Sequence, residues 1–203
     1  MLISGGGRTL ENLFERIEAG TLPAEVSLVA GSRPGILGLE RARRRGVPSL
    51  LVERAAFGDD RSFSDALAAA LLPAAPDLVV LAGFVHLFLF PQRLTWKVMN
   101  IHPALLPAFG GKGFYRERVH LAVLESGAKV SGCTVHYATH DYDAGPIVLQ
   151  RTVGVLDDDT PASLAARVFE AEREAYPEAI ALHLEGRLRV EGNRVRVLPP
   201  RGG

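Results

Sequence analysis

Cysteine is all but missing from this chain: Cys133 stands alone among 203 residues. No internal disulfide can form, so nothing speaks for an oxidising compartment, and the lone thiol is read as a small buried hydrophobe. Net charge is missing too. Lys and Arg number 23 against 23 Asp and Glu, which removes the global positive field that non-specific nucleic-acid binding relies on. No apolar run approaches the roughly 20 residues needed to cross a bilayer, and the chain does not open with a basic segment followed by an apolar one. The expected setting is the cytoplasm, with neither membrane nor nucleic acid as a partner. The six histidines include no pair at zinc-like spacing flanked by carboxylate or cysteine, so no metal is expected. Repeats and low-complexity linkers are absent as well.

What is present is enough apolar material, 47% of the residues, to fill one substantial core, and the length predicts one domain over 1–203. The first half alternates short β-branched runs with longer amphipathic stretches. Strands are expected over 1–3, 25–30, 49–52, 77–82 and 98–101, with helices over 9–19, 38–45 and 61–72. A helix over 117–125 follows, then alternating strands over 132–138 and 147–153 around the turn Asp141-Tyr142-Asp143-Ala144-Gly145-Pro146. Asp159-Thr160-Pro161 opens a last helix expected to reach 184 with a break near Pro177, and strands over 187–190 and 194–198 form a terminal hairpin around Gly192-Asn193. The fold class is therefore α/β: a Rossmann-like, mostly parallel twisted sheet with helices on both faces, plus an antiparallel C-terminal portion. The first strand is short for a central one, either stunted or read from a late start. The run Glu40-Arg41-Ala42-Arg43-Arg44-Arg45 is read as a solvated helix face, not a basic patch.

Two places can carry chemistry. Ser4-Gly5-Gly6-Gly7-Arg8-Thr9 is a glycine turn between strand and helix, where backbone amides and the helix dipole favour an anion. Leu10 stands where a third glycine would complete a dinucleotide fingerprint, so a phosphate site is expected rather than a dinucleotide one. The second place is Asn100-Ile101-His102-Pro103-Ala104-Leu105-Leu106-Pro107. Positions 100 and 102 of a strand share a side, which presents an amide and an imidazole together at the strand's end, where open α/β sheets bind ligands.

This stretch resembles the Asn-x-His-Pro signature of the 10-formyltetrahydrofolate hydrolase and transferase domain. The likeness continues through Gly111-Lys112-Gly113, Val119-His120, Gly132-Cys133-Thr134-Val135-His136 and Asp141 to Ile147. It is strongest toward the branch that formylates glycinamide ribonucleotide in purine synthesis, with 10-formyltetrahydrofolate as co-substrate. The resemblance implies that 1–100 is a phosphate-binding half and 101–203 a catalytic and folate-binding half. It implies that Asn100 and His102 stabilise a tetrahedral intermediate, His102 as general acid, with Asp143 raising the histidine's pKa. The acceptor is expected on Gly5, Gly6, Gly7, Arg8 and Thr9, with Glu172 at its glycinamide end. The folate is expected against Val85, His86, Leu87 and Phe88, Asn100, and the loop Thr139, His140, Asp141, Tyr142 and Asp143, with Arg61 toward its tail. The family often has Asn at Thr9 and Arg at His86. His120 and His136 are expected to be structural hydrogen-bond partners. The oligomeric state stays open, a homodimer among the options. The alternatives are a 10-formyltetrahydrofolate hydrolase, in which water replaces the amine, and a non-catalytic nucleotide-binding module.

Overall fold

Short apolar runs become strands and the amphipathic stretches between them become helices, in the order the pattern predicts. The computed structural model describes residues 1–200, and the chain divides into two units between Met99 and Asn100. The first unit contains β1 (Leu2–Ile3), α1 (Arg8–Glu18), β2 (Val29–Gly31), α2 (Leu37–Arg44), β3 (Ser49–Leu51), α3 (Asp60–Leu71), β4 (Val79–Leu81) and the opening of β5 (Val98–His102). Its strands lie in the order β3-β2-β1-β4-β5. Strand β1 runs parallel to both β2 and β4, and β2 parallel to β3. The order reverses between β1 and β4, which makes their carboxyl ends the crevice where such sheets take ligands.

Burial explains the helix faces. Leu10 and Phe14 of α1 and Leu39 and Ala42 of α2 join Ile3, Val29 and Ala82 in one apolar cluster. Strand β2, Val29–Gly31, is shorter than the expected 25–30 and ends one residue later, because its ladder partners are only Leu2 and Ile3 of β1 and Ser49 to Leu51 of β3. The arginine run is not simply a solvated face. Arg41 and Arg45 both reach Glu11 of α1, at 2.6 and 2.5 Å, and Arg45 also reaches Glu18 at 2.8 Å. Its guanidinium lies 4.8 Å over the Phe14 ring. Arg43 and Arg44 alone of the four are exposed, and Arg44 pairs with Glu40 of its own helix at 3.8 Å. Helix α2 is thus clamped to α1 by partly buried ion pairs whose partners lie some 30 residues upstream, a spacing that local charge patterning does not show.

The second unit holds the end of β5, α4 (Glu117–Glu125), β6 (Val130–Tyr137), β7 (Ile147–Gly154), α5 (Pro161–Leu184), β8 (Leu188–Glu191) and β9 (Arg194–Val197). Its order is β5-β6-β7-β9-β8. Strands β6 and β7 are antiparallel, with a register shift between Val135 and His136, β8 and β9 form the terminal antiparallel hairpin, and β9 joins β7 in parallel. Together the two units make a mixed α/β, mostly parallel architecture with an antiparallel C-terminal part.

Helix α5 opens with a capping box: the Thr160 side chain accepts from the Ser163 amide, Ser163 Oγ accepts from the Thr160 amide, and Pro161 occupies the first turn. The expected break near Pro177 does not occur, and the helix is continuous to Leu184. A proline in a helix interior forfeits one backbone bond and costs about 3 kcal/mol. Here Ala175, Tyr176, Pro177, Ala179 and Ile180 are all buried, and that packing holds the helix through the proline.

Candidate active site

Three elements of the second unit deliver the site: the end of β5, the end of β6, and the turn that returns to β7. The carboxylate of Asp143 is the centre of the arrangement. Its Oδ2 lies 3.4 Å from His102 Nδ1 and accepts the Gly111 amide at 3.0 Å. Its Oδ1 lies 3.4 Å from Asn100 Nδ2 and 3.6 Å from His136 Nε2. The expected amide, imidazole and carboxylate therefore meet, although Asp143 is 41 residues beyond His102 in the sequence. Asp143 has φ 53, in the left-handed region that a short polar side chain tolerates better than most. The turn is pressed close to β6: a Cβ on Gly145 would lie 1.7 Å from the Tyr137 carbonyl oxygen, so only glycine fits there.

His102 is buried, and its Nε2 donates to the Phe109 carbonyl at 2.8 Å. Both ring nitrogens face groups that accept, so the ring can take a second proton without losing a bond. Burial is nevertheless the largest influence and pulls the His102 pKa below its ordinary value, against the charge of Asp143 and the Phe109 carbonyl, which raise it, and with the nearby His136, which lowers it. Asp143 thus acts on His102 in the expected sense, but the net direction is down. Asp143 itself goes the other way from what burial dictates. Burial would raise its carboxyl, but the contact with His136, the charge of His102 and the Gly111 amide together hold it below the usual carboxylate range.

Beneath these groups lies a polar hub that sequence reasoning did not find. Thr134 Oγ1 donates to the Ala104 carbonyl at 2.7 Å and accepts from the Leu106 amide at 3.0 Å and from Gln150 Nε2 at 2.9 Å. Gln150 also donates to the Leu106 carbonyl at 3.1 Å. The segment that follows His102 is thereby bolted to β6 and β7, where Thr134 and Gln150 stand opposite each other in the ladder. The available signal was alternation, since Thr134 and His136 share one face of β6. The contacts of Phe109 and Gly111 are made by backbone and left no signal.

The remaining nominees fall in both units. In the first, Gly7 has φ 74 and caps α1 with no side-chain hydrogen bond, leaving the first-turn amides without intrahelical acceptors. A Cβ on Gly7 would come within 2.9 Å of the Gly38 Cα. Gly5 and Thr9 are half-buried, while Gly6 and Arg8 are exposed. Ser4 Oγ accepts from the Val85 amide at 3.2 Å and bonds Ser32 Oγ at 2.7 Å, which ties the glycine turn to the start of the 85–88 segment. Phe88 is buried, and His86 lies edge-on to Phe63 and Phe84 at 5.6 and 5.5 Å, its pKa lowered chiefly by burial. Arg61 is exposed and pairs with Asp65 at 3.2 Å. In the second unit, Thr139 Oγ1 accepts from the Asp141 amide at 3.3 Å, His140 and Tyr142 flank it, and Glu172 on α5 is half-buried. Burial first, and then the charge of Glu172, push the Cys133 thiol up to about 12, so it stays protonated. Among the described residues no cluster of His, Cys, Asp or Glu could hold a metal ion, and no helix is long and apolar enough to cross a membrane.

A parallel sheet with a reversed strand order, and a buried imidazole flanked by a half-buried amide and carboxylate, define an α/β protein with a donor–acceptor set suited to acid–base chemistry. Within that class the chain belongs to the Formyl transferase family, which it matches over residues 1–180. It is 34% identical to phosphoribosylglycinamide formyltransferase of Haemophilus influenzae, over 95% of this chain and 90% of that one. It is 38% identical to the chloroplastic phosphoribosylglycinamide formyltransferase of Arabidopsis thaliana, over 93% of this chain, and to the trifunctional purine biosynthetic protein adenosine-3 of Gallus gallus, over 94%. The chain spans 66% of the Arabidopsis protein and 19% of the Gallus protein. Among solved structures, glycinamide ribonucleotide transformylase 1 of Symbiobacterium toebii superposes with a TM-score of 0.89 at 44% identity, over 98% of this chain and 92% of that one. A formyltetrahydrofolate deformylase of Pseudomonas syringae shares the fold, with a TM-score of 0.83 at 24% identity, over 98% of this chain and 65% of that one.

Proposed function

We propose that this chain transfers the formyl group of 10-formyltetrahydrofolate to the amine of glycinamide ribonucleotide, a step of purine biosynthesis. The observation that carries the reading is the meeting of Asn100, His102 and Asp143 in a chain that matches phosphoribosylglycinamide formyltransferases along nearly its whole length. No nucleophilic side chain is called for, because the acceptor supplies its own amine. That amine attacks the formyl carbon and the carbonyl electrons move onto oxygen. Collapse re-forms the carbonyl and breaks the bond to N10, which gains a proton while the amine loses one. Asn100 and His102 would donate to the transient oxyanion, and such donors act best where water is excluded. His102, its imidazolium stabilised by Asp143, would give its proton to the departing nitrogen, and the proton lost by the amine would pass to water or to Asp143 in a relay. The acceptor phosphate is assigned to Gly5 to Thr9 and its glycinamide end to Glu172. The folate is assigned to Val85 to Phe88, Arg61 and the 139–143 loop.

The test is an assay with both substrates, following formylated product and free formate together. Formyl transfer that depends on glycinamide ribonucleotide supports the reading. Release of formate at the same rate without the acceptor would establish a hydrolase instead, and neither product would leave a non-catalytic binding module.

A further inference from the structure

His136 has no part in the trio, yet it is 2% exposed and touches two of its members. Its Nδ1 lies 3.0 Å from the Tyr137 carbonyl oxygen, which can only accept, so Nδ1 carries a hydrogen. That carbonyl has little freedom: Gly145 packs directly on it, and the Tyr137 amide donates to the Pro146 carbonyl at 3.0 Å. In the neutral ring the other nitrogen, Nε2, therefore bears a lone pair; it lies 3.1 Å from Asn100 Nδ2 and 3.6 Å from Asp143 Oδ1, and only a protonated ring could donate to that carboxylate.

We infer that His136 is a positioning residue for the transfer reaction, its Nε2 accepting from the Asn100 side chain and so deciding which end of that amide is available as a donor. This rests on the proposed role of Asn100. A carboxamide has two nearly isosteric ends, and nothing in its shape tells them apart. Chemistry at the site requires the nitrogen end, since an amide oxygen facing an oxyanion would repel it. His136 takes one N–H of Asn100. The second hydrogen is left on the side of Asp143 Oδ1, 3.4 Å from the nitrogen, a contact long enough for a reacting oxygen arriving beside Asp143 to replace. A protonated His136 would donate instead, and Asn100 would turn its oxygen inward.

Two replacements separate the ring's two bonds. His136→Asn puts an amide near the Nδ1 position and preserves the bond to the Tyr137 carbonyl, while losing the contact with Asn100. His136→Gln reaches the Nε2 position and can accept from Asn100. With both variants shown to fold by thermal melting, H136N is expected to lose roughly tenfold to a hundredfold in kcat, with KM for either substrate nearly unchanged. H136Q is expected to recover most of the loss. Equal loss in the two variants, or loss confined to KM, overturns the proposal. The same H136N change in an Asn100→Ala background should cost less than about threefold, because the group it orients is gone. A full multiplicative loss there overturns the positioning role while leaving the site intact. Wild-type turnover in N100A would overturn the site itself, and this proposal with it.

Discussion

Asp143 is the residue through which the site can be read most directly, because each of its oxygens faces two groups. Replacing it with asparagine preserves the shape and the tolerance for φ 53 but removes the charge. We expect Asp143→Asn, and likewise His102→Asn, to lower turnover by about two orders of magnitude or more with little change in melting temperature. Unchanged steady-state rates in either variant would remove that residue from the mechanism. The D143N protein carries a second expectation. Burial already pulls the His102 pKa below its ordinary value, and Asp143 supplies the largest influence opposing it. Without the charge, the His102 ring proton resonances should titrate at lower pH than in the wild type. A midpoint that stays put would show that the carboxylate does not govern that imidazole. The residue types and their order were readable from the chain, since Asn100, His102 and Asp143 stand in motifs that are themselves local. The balance between burial and charge was not, because it depends on what packs around the ring.

Strand β6 and helix α5 show how unequal the parts of the fold are in what they support. Thr134 is a hub for the segment after His102. In Thr134→Val the Ala104 carbonyl and the Leu106 amide lose their partner inside the protein. We expect a loss of about 1–3 kcal/mol in chemical denaturation, the range for leaving buried polar groups unpaired. Turnover should fall as well, since the segment that follows His102 is then held less firmly. Full activity with full stability would show that the hub holds nothing of consequence. The Thr160 cap of α5 is a contrasting control. Its replacement by alanine removes the hydrogen bond to the Ser163 amide and should cost about 1 kcal/mol, with kcat unaltered. Of these two elements the helix start was visible in Asp159-Thr160-Pro161. The continuity of α5 through Pro177 was not, because burial of neighbouring side chains overrides a local rule.

Acid should weaken the folded molecule before the carboxylates begin to titrate. His86, His102 and His120 all have pKa values lowered in the fold, burial being the first cause in each. A group depressed in this way binds protons more readily when unfolded. Its contribution to stability is whole above its unfolded value, near 6.5, and is lost as pH falls toward the folded one. Stability measured by urea denaturation should therefore decline from about pH 7 to pH 5. His120 offers the cleanest test, since its Nδ1 is buried without a hydrogen-bond partner and the proposed reaction does not use it. In His120→Gln the decline should be shallower, and an identical slope would assign the pH dependence elsewhere. Periodicity and turn residues sufficed to write down the α/β class and the succession of its strands and helices, and short motifs carried the resemblance that pointed to the site, because each is encoded within a few consecutive residues. The clamp between α1 and α2, the Thr134 hub and the contact of His136 with Asn100 were decided by the tertiary structure alone. Those contacts join groups tens of residues apart, and whether they form depends on strand register and packing, which no short stretch of chain contains.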